Sequence, residues 1–375
     1  MIPTISTIPI QHLASGDQLF IQVYKFIGSQ PGKKAYLQSN LHGAEIVGNA
    51  IINQLIDFLI SLDNSKLTGE ILLVPACNPL STNQRNHNFS TGRYNIYNGK
   101  DWNRIFWDYE KECEDLEAFA KSQLNLEIAE IRKNYLGQIL DCFDKEIEKI
   151  QSPSGLPFNE RYRYQLQSLC LNANYVIDIH SSSNQAIDYL YCFHSREESA
   201  KAFLLDYGIL MNEYDGDAFD EAFMKPWLAL EKKLAEFGKE VKFDIESWTL
   251  ECGSGMQMNP ESVKTAVLGI KNYLVQKEVL EIPGFPLTET VNHQINLTIK
   301  SQVKKYYAPT GGMIQSRVQF GSSITAGQRL YQLLSFNKEG ELPKVIDVCA
   351  EAEGLVFDVS TNHAVNEGEY VLSIM

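Results

Sequence analysis

Asn174-Tyr175-Val176-Ile177-Asp178-Ile179-His180-Ser181-Ser182 is an apolar run of β-forming residues that turns polar at Asp-x-His-Ser. A strand this apolar is covered on both faces, as in the parallel sheets of α/β proteins. Glu70-Ile71-Leu72-Leu73-Val74-Pro75 has the same character, and Gln18 to Ile27 and Lys34 to Ser39 read as further strands. Between them, Glu45 to Leu62 places Ile46, Val47, Ala50, Ile51, Leu55, Ile56 and Leu59 at helical spacing. Strands alternating with helices predict an α/β fold, a mainly parallel mixed sheet flanked by helices.

Two segments depart from that pattern. Within about 108–168, Asp108 to Ile150 is rich in Glu, Lys, Leu and Ala at helical spacing and is then punctuated by Pro153 and Gly155, which predicts a solvated helical insert or, alternatively, a lid or partner surface. From about 294 the chain turns to short β-rich pieces with frequent glycine, and Gly312–Gly327 and Gly354–Gly368 are spaced 15 and 14 apart. The expected organisation is therefore an α/β domain over 1–293 and a small β-barrel or sandwich over 294–375. The tail resembles the hammerhead of lipoyl- and biotinyl-carrier domains. It lacks a carrier lysine at a hairpin tip, so it reads as a structural or substrate-shaping appendage.

The 375 residues are 44% hydrophobic and 21% charged, a globular balance. A net charge of −14 disfavours nucleic acid and anionic membrane surfaces as partners. Seven cysteines, an odd number without CxxC spacing (Cys77, Cys113, Cys142, Cys170, Cys192, Cys252, Cys349), read as reduced thiols. With no basic start and apolar run at the N-terminus and no stretch near 20 apolar residues, a soluble cytoplasmic protein is expected.

The chemistry-bearing residues cluster at predicted strand ends. Asn40-Leu41-His42-Gly43-Ala44-Glu45 lies between a strand and a helix. Its imidazole and carboxylate, three residues apart, can face one ion; a plain helix N-terminus with Glu45 in the first turn is the other reading. His180 ends a strand at the sheet edge where α/β proteins bind ligands, and Asp178 can orient its ring. His42, Glu45 and His180 together make a three-ligand zinc site plausible. A long polar loop follows, with Cys77-Asn78-Pro79, Gly92-Arg93-Tyr94 and Lys100-Asp101-Trp102-Asn103-Arg104-Ile105-Phe106. Its arginines suit bidentate recognition of a carboxylate or serve as surface charges.

Taken in order, His-Gly-x-Glu at 42–45, Asn-Pro at 78–79, Arg-Tyr at 93–94, Asp-x-Asn-Arg-x-Phe at 101–106, Asp-x-His-Ser at 178–181 and Glu-x-Gly at 251–253 resemble the succinylglutamate desuccinylase/aspartoacylase family of the zinc carboxypeptidase-like superfamily. The resemblance covers roughly 18–275, and the β-rich tail fits it. It implies a zinc carboxypeptidase-like fold and one zinc held by His42, Glu45 and His180. It further implies that Arg93 polarises the scissile carbonyl, Asn103 and Arg104 grip a substrate carboxylate, and Glu251 is the general base. Glu246 competes with Glu251 for that role, and Arg85 with Arg93. Trp102 stands where the family usually has Leu, and the Asn78–Arg93 stretch is longer than in the aspartoacylase branch.

The implied activity is zinc-dependent hydrolysis of the amide or ester bond of a small anionic N-acyl amino acid or similar substrate. A metallocarboxypeptidase acting on peptides and a non-catalytic binding protein of this fold are the alternatives, and a homo-oligomer is compatible with the sequence.

Overall fold

Nine strands form one sheet in the computed structural model, which describes residues 1–112, 115–288, 290 and 293–375. In chain order they are β1 (Thr4–His12), β2 (Gln18–Ile27), β3 (Gln30–Ser39), β4 (Thr68–Val74), β5 (Tyr175–Ser182), β6 (Tyr189–Phe193), β7 (Tyr207–Met211), β8 (Glu246–Ser254) and β9 (Asn296–Ile299). Their spatial order is β1-β2-β4-β3-β5-β8-β6-β7-β9. The central pairings β4–β3, β3–β5 and β5–β8 are parallel, as are β6–β7 and β7–β9, while β1–β2, β2–β4 and β8–β6 are antiparallel. This is the mixed α/β sheet expected from the alternating pattern.

Each face of the sheet carries its own core, because successive side chains point to opposite sides. On one face, Leu37, Ile177, Ile179, Trp248 and Leu250 pack with helices α1 (Val47–Ser61) and Pro260–Gln276. On the other, Tyr36 and Val176 pack against Phe219–Glu236 and against helices that leave the chain between β4 and β5. The longest of those, Ile128–Gln151, buries Ile131, Tyr135, Ile139 and Phe143. Those positions are spaced by four and make one stripe. Trp227 stands edge-on to Tyr135 with ring centroids 5.3 Å apart. The expected solvated insert is thus solvated on its outer side only. Cys113, within it, lies outside the described residues.

Strand β9 lies beyond residue 293, the expected end of the α/β domain, yet it extends the large sheet beside β7. Leu297 accounts for this, since it packs against the same core as α1. Residues 304–374 then form a four-stranded sheet and most of a five-stranded one, which share a core of Leu330, Leu333, Val356, Val371 and Leu372. The five-stranded sheet takes its remaining strand, Gln185–Ala186, from the turn just after β5, and that strand pairs with Gly354–Val359. Among the described residues no helix is long and apolar enough to cross a membrane.

Because Ile139 is buried in the middle of the stripe, Ile139→Ala should cost about 2–5 kcal/mol of stability, the usual range for truncating a buried Ile. Urea unfolding of the two proteins measures this; a loss under about 0.5 kcal/mol would mean that the stripe is not packed as described.

Candidate metal and active site

The turn after β3 is built to bring two side chains together. Asn40 takes a left-handed conformation (φ 64°), which Asn tolerates better than most residues. Its amide donates to the carbonyl oxygens of His42 (3.0 Å) and Glu45 (3.3 Å), which closes the turn. The helix starts only at Val47, with Ile46 as its cap. Glu45 is therefore held by the turn, and the alternative of a plain carboxylate in a first helical turn does not apply. Gly43 donates its N–H to the Gly92 carbonyl at 2.9 Å. A Cβ at either Gly43 or Gly92 would lie 2.0 Å from the Ser81 carbonyl oxygen, so both positions demand glycine. Asn78, whose side-chain Oδ1 accepts from the Ser81 N–H and caps the short helix Pro79–Asn83, donates its side-chain amide to the Leu41 carbonyl. The short His-Gly, Asn-Pro and Gly-Arg stretches thus lock into one another.

The other half comes from β5 and β8. In their parallel register Asp178 lies opposite Thr249, and His180 opposite Glu251. Same-parity residues share a face, so these four stand on the side of the sheet that receives the His42 turn. His42 Nδ1 and His180 Nδ1 lie 3.0 and 2.7 Å from the two oxygens of Glu45. Their Nε2 atoms are bound by carboxylates, His42 by Asp101 at 2.9 Å and His180 by Asp178 at 2.8 Å. A carboxylate behind each ring fixes its tautomer and leaves Nδ1 to face a ligand. One donor atom from each of His42, Glu45 and His180 lies within 4.8 Å of the others, and all three residues are buried, so the trio could hold a metal ion.

The electrostatics agree with a site built for a cation. Burial disfavours charged imidazoles, but Asp178 and Glu45 raise His180 well above its ordinary value. Against the same burial, Glu45 and Asp101 raise His42. Burial also opposes the charged forms of Glu45 and Asp101, yet the imidazoles hold both well below the usual carboxylate range. With both imidazoles neutral, the Arg93 guanidinium meets two of the three carboxylates, Glu45 and Asp101, which leaves negative charge at the site. A divalent cation would offset that charge, in competition with protons on the imidazoles.

Arg93 enters from the long loop. Its Nε lies 3.1 Å from Asp101, and its Nη1 lies 3.1 Å from Ser183 Oγ and 3.6 Å from Glu45. Arg85 is exposed and donates to the Thr82 and Gln84 carbonyls. Arg93, Asn103 and Arg104 line a cavity of about 520 Å³ together with the metal trio and Glu251, whereas Arg85 does not. Asn103 Oδ1 accepts from the Phe219 N–H at 2.8 Å, which joins the loop to the helix Phe219–Glu236. Trp102 is buried edge-on to Phe158 and Tyr162, and so anchors this loop on the insert.

The two carboxylates of β8 have opposite surroundings. Glu246 faces the other side of the sheet and is bound by Ser199, Tyr273 and Lys277. Glu251 is half-buried, and its Oε2, itself shielded from solvent, lacks a hydrogen-bond partner. Burial pushes its pKa up to about 7, the Glu45 charge adding to this while His180 and Arg93 oppose it. A carboxyl poised there can take and return a proton near neutral pH.

Sequence reading assigned no role to Asp101, Ser183 or Asp220. Asp101 was visible as the first residue of Asp-x-Asn-Arg, but its partnership with both His42 and Arg93 depends on the loop's path. Asp220, which accepts from Thr249 Oγ1 at 2.8 Å, carries no local signal. The same holds for Lys305, Phe357, Asp358 and Tyr370 of the C-terminal sheets, which wall the cavity.

Residues 31–137 match the family model described as the succinylglutamate desuccinylase/aspartoacylase catalytic domain. A solved structure assigned to that family, from Shewanella amazonensis, is 26% identical, with 99% of this chain and 98% of that one covered and a TM-score of 0.88. Another, from Shewanella frigidimarina, is 25% identical, with coverage of 100% and 97% and a TM-score of 0.88. A succinylglutamate desuccinylase/aspartoacylase from Rhodobacter sphaeroides, 16% identical over 100% and 94% of the two chains, shares the fold at a TM-score of 0.67. A search of curated proteins finds no match.

The glycine contacts make a sharp contrast. Gly43→Ala should lower the melting temperature, because the Ser81 backbone must move. Gly137→Ala, in open space within the helix Ile128–Gln151, should raise stability by up to about 1 kcal/mol. Thermal unfolding of both variants checks this, and a harmless Gly43→Ala would contradict the described turn.

Proposed function

From this likeness to the succinylglutamate desuccinylase/aspartoacylase family, a group of hydrolases, we propose that the chain is a zinc-dependent hydrolase acting on the amide, or ester, bond of a small N-acyl amino acid. The carrying observation is the meeting, in one cavity, of the buried His42–Glu45–His180 trio with an unpartnered Glu251 carboxylate oxygen. Two imidazoles and a carboxylate suit zinc, and three protein ligands leave a position for water or substrate, as catalytic zinc sites do. When bound, zinc would act as a Lewis acid on the carbonyl and would acidify the attacking water.

The chain's own groups have separate tasks in this reading. Glu251 takes the proton of the attacking water at its free Oε2 and returns it to the leaving amine. Arg93, held by Asp101 and Ser183, offers its guanidinium to the negative charge that develops on the carbonyl oxygen. Asp178 and Asp101 keep both rings in the ligating tautomer. Arg104 is exposed at the cavity, with Nη1 bonded to the Asn103 carbonyl. Its remaining donors are proposed to receive the substrate carboxylate in a fork, with Asn103 beside it. The wall of C-terminal residues favours a small substrate over a peptide chain. The division into an α/β domain and a C-terminal β domain is part of the same proposal.

His42→Ala should strip most of the metal measured by elemental analysis of the purified protein. Glu251→Gln should retain metal and lose roughly 10²–10⁴-fold in turnover on the best substrate from a panel of N-acyl amino acids and short peptides. Full metal content in the first variant, or full activity in the second, would overturn the assignment. Arg104→Lys should lower kcat/KM far more for an anionic substrate than for its carboxamide analogue, with a loss of about 1.5–3 kcal/mol on the acid. Equal losses on both would remove Arg104 from carboxylate recognition.

A further inference from the structure

Gln38 is a polar residue where the fold calls for an apolar one. It sits near the end of β3, a central strand with parallel neighbours on both sides, and it is fully buried. A buried amide is costly unless its donors and acceptor are used. Here they are. The Tyr36 hydroxyl, also fully buried, donates to Gln38 Oε1 at 2.9 Å. The Gln38 Nε2 donates to Asp178 Oδ1 at 3.0 Å. The other oxygen of Asp178 is the one bound to His180 Nε2 at 2.8 Å.

The orientation of this chain is set by chemistry. An ionised carboxylate only accepts, so the Gln38 amide must turn its NH₂ toward Asp178 and its oxygen toward Tyr36. Register makes the contact unavoidable, because Gln38 lies directly opposite Asp178 on the neighbouring strand. On the other flank of Asp178, Thr249 spends its hydroxyl on Asp220. Gln38 is thus the side chain that occupies Asp178 Oδ1 and leaves Oδ2 to His180.

We infer that Gln38 is a positioning residue for the metal site, acting through Asp178 on the His180 ring, with Tyr36 orienting the Gln38 amide. This rests on the proposed metal site. With Oδ1 held by Gln38, the carboxylate cannot rotate away from Nε2, and Nδ1 stays aimed at Glu45 and the ion. Without that donor, Asp178 is free to turn, and the ring loses a fixed direction. The effect belongs to metal binding rather than to the substrate.

The test uses the full chain, stripped of metal and titrated with zinc against a chromophoric chelator. It is repeated with cobalt, whose visible absorption reports ligand geometry. Gln38→Leu should weaken zinc binding by up to roughly 10-fold, the low end of the range for loss of an outer partner of a metal-binding histidine, since Gln38 acts one step behind that partner, and should alter the cobalt spectrum. Tyr36→Phe, which keeps the ring and removes the hydroxyl, should weaken binding in the same direction by less. Its retained shape keeps the inference testable if Gln38→Leu does not fold. A packing role alone would lower the melting temperature of the metal-free variants but leave the zinc affinity and cobalt spectrum of the folded protein unchanged. That result in a folded Gln38→Leu, or unchanged affinity in Tyr36→Phe when the leucine variant is unfolded, overturns the inference while the proposed function stands. A wild-type chain that takes up neither metal overturns both.

Discussion

The register between the central parallel strands is the constraint on which the site depends. Gln38, Asp178 and Thr249 occupy one level of β3, β5 and β8, and His180 and Glu251 the next. Both faces of these strands are buried, so a slip by one residue would carry every side chain to the opposite core. His180 and Glu251 would then enter the apolar layer of Ile177, Trp248 and Leu250, and that layer would face the cavity. The apolar residues therefore hold the polar ones in place: the hydrophobic cost of a slip is far larger than any single hydrogen bond in the site.

That arrangement explains why two carboxylates five residues apart on one strand have different natures. Glu246 and Glu251 have opposite parity. Glu246 meets a lysine, a tyrosine and a serine, which satisfy it as an ion-paired structural group. Glu251 lines the cavity, where desolvation of its carboxyl, with the charge of Glu45 adding to it, pushes its pKa up to about 7. Nothing in the composition of the strand separates them; the side of the sheet does.

Around the register, the loops supply charge and closure. A chain with a net charge of −14 concentrates Glu45, Asp101 and Asp178 at one point, and this is tenable because two imidazoles and Arg93 interleave with them. Asp101 bridges His42 and Arg93, so the metal side and the proposed oxyanion side of the site share one carboxylate. The C-terminal sheets join through Asp358. It accepts from Ser182, from Asn184 at 3.1 Å and from Tyr370 at 2.5 Å, and thereby ties the turn after His180 to the cavity wall.

Much of this was legible in the sequence, for a physical reason. Helical periodicity and apolar runs are local, so α1 could be read from the spacing of apolar residues, and β4 and β5 from their continuous apolar runs. The His42–Glu45 turn and the Asp178–His180 pair are also local, since their partners are two or three residues away. What the chain order could not carry is anything that depends on parity or path across the sheet. Glu251 and Glu246 differ only by face, and Arg93 and Arg85 only by which way the loop runs. Gln38 matters only because register sets it opposite Asp178. The strand at 296–299 joined the large sheet because Leu297 found its core there. The sequence by itself determined the fold class and the residue types able to bind a metal. The tertiary structure decided which of them meet, because a buried charge is tolerated only where distant segments converge to satisfy it.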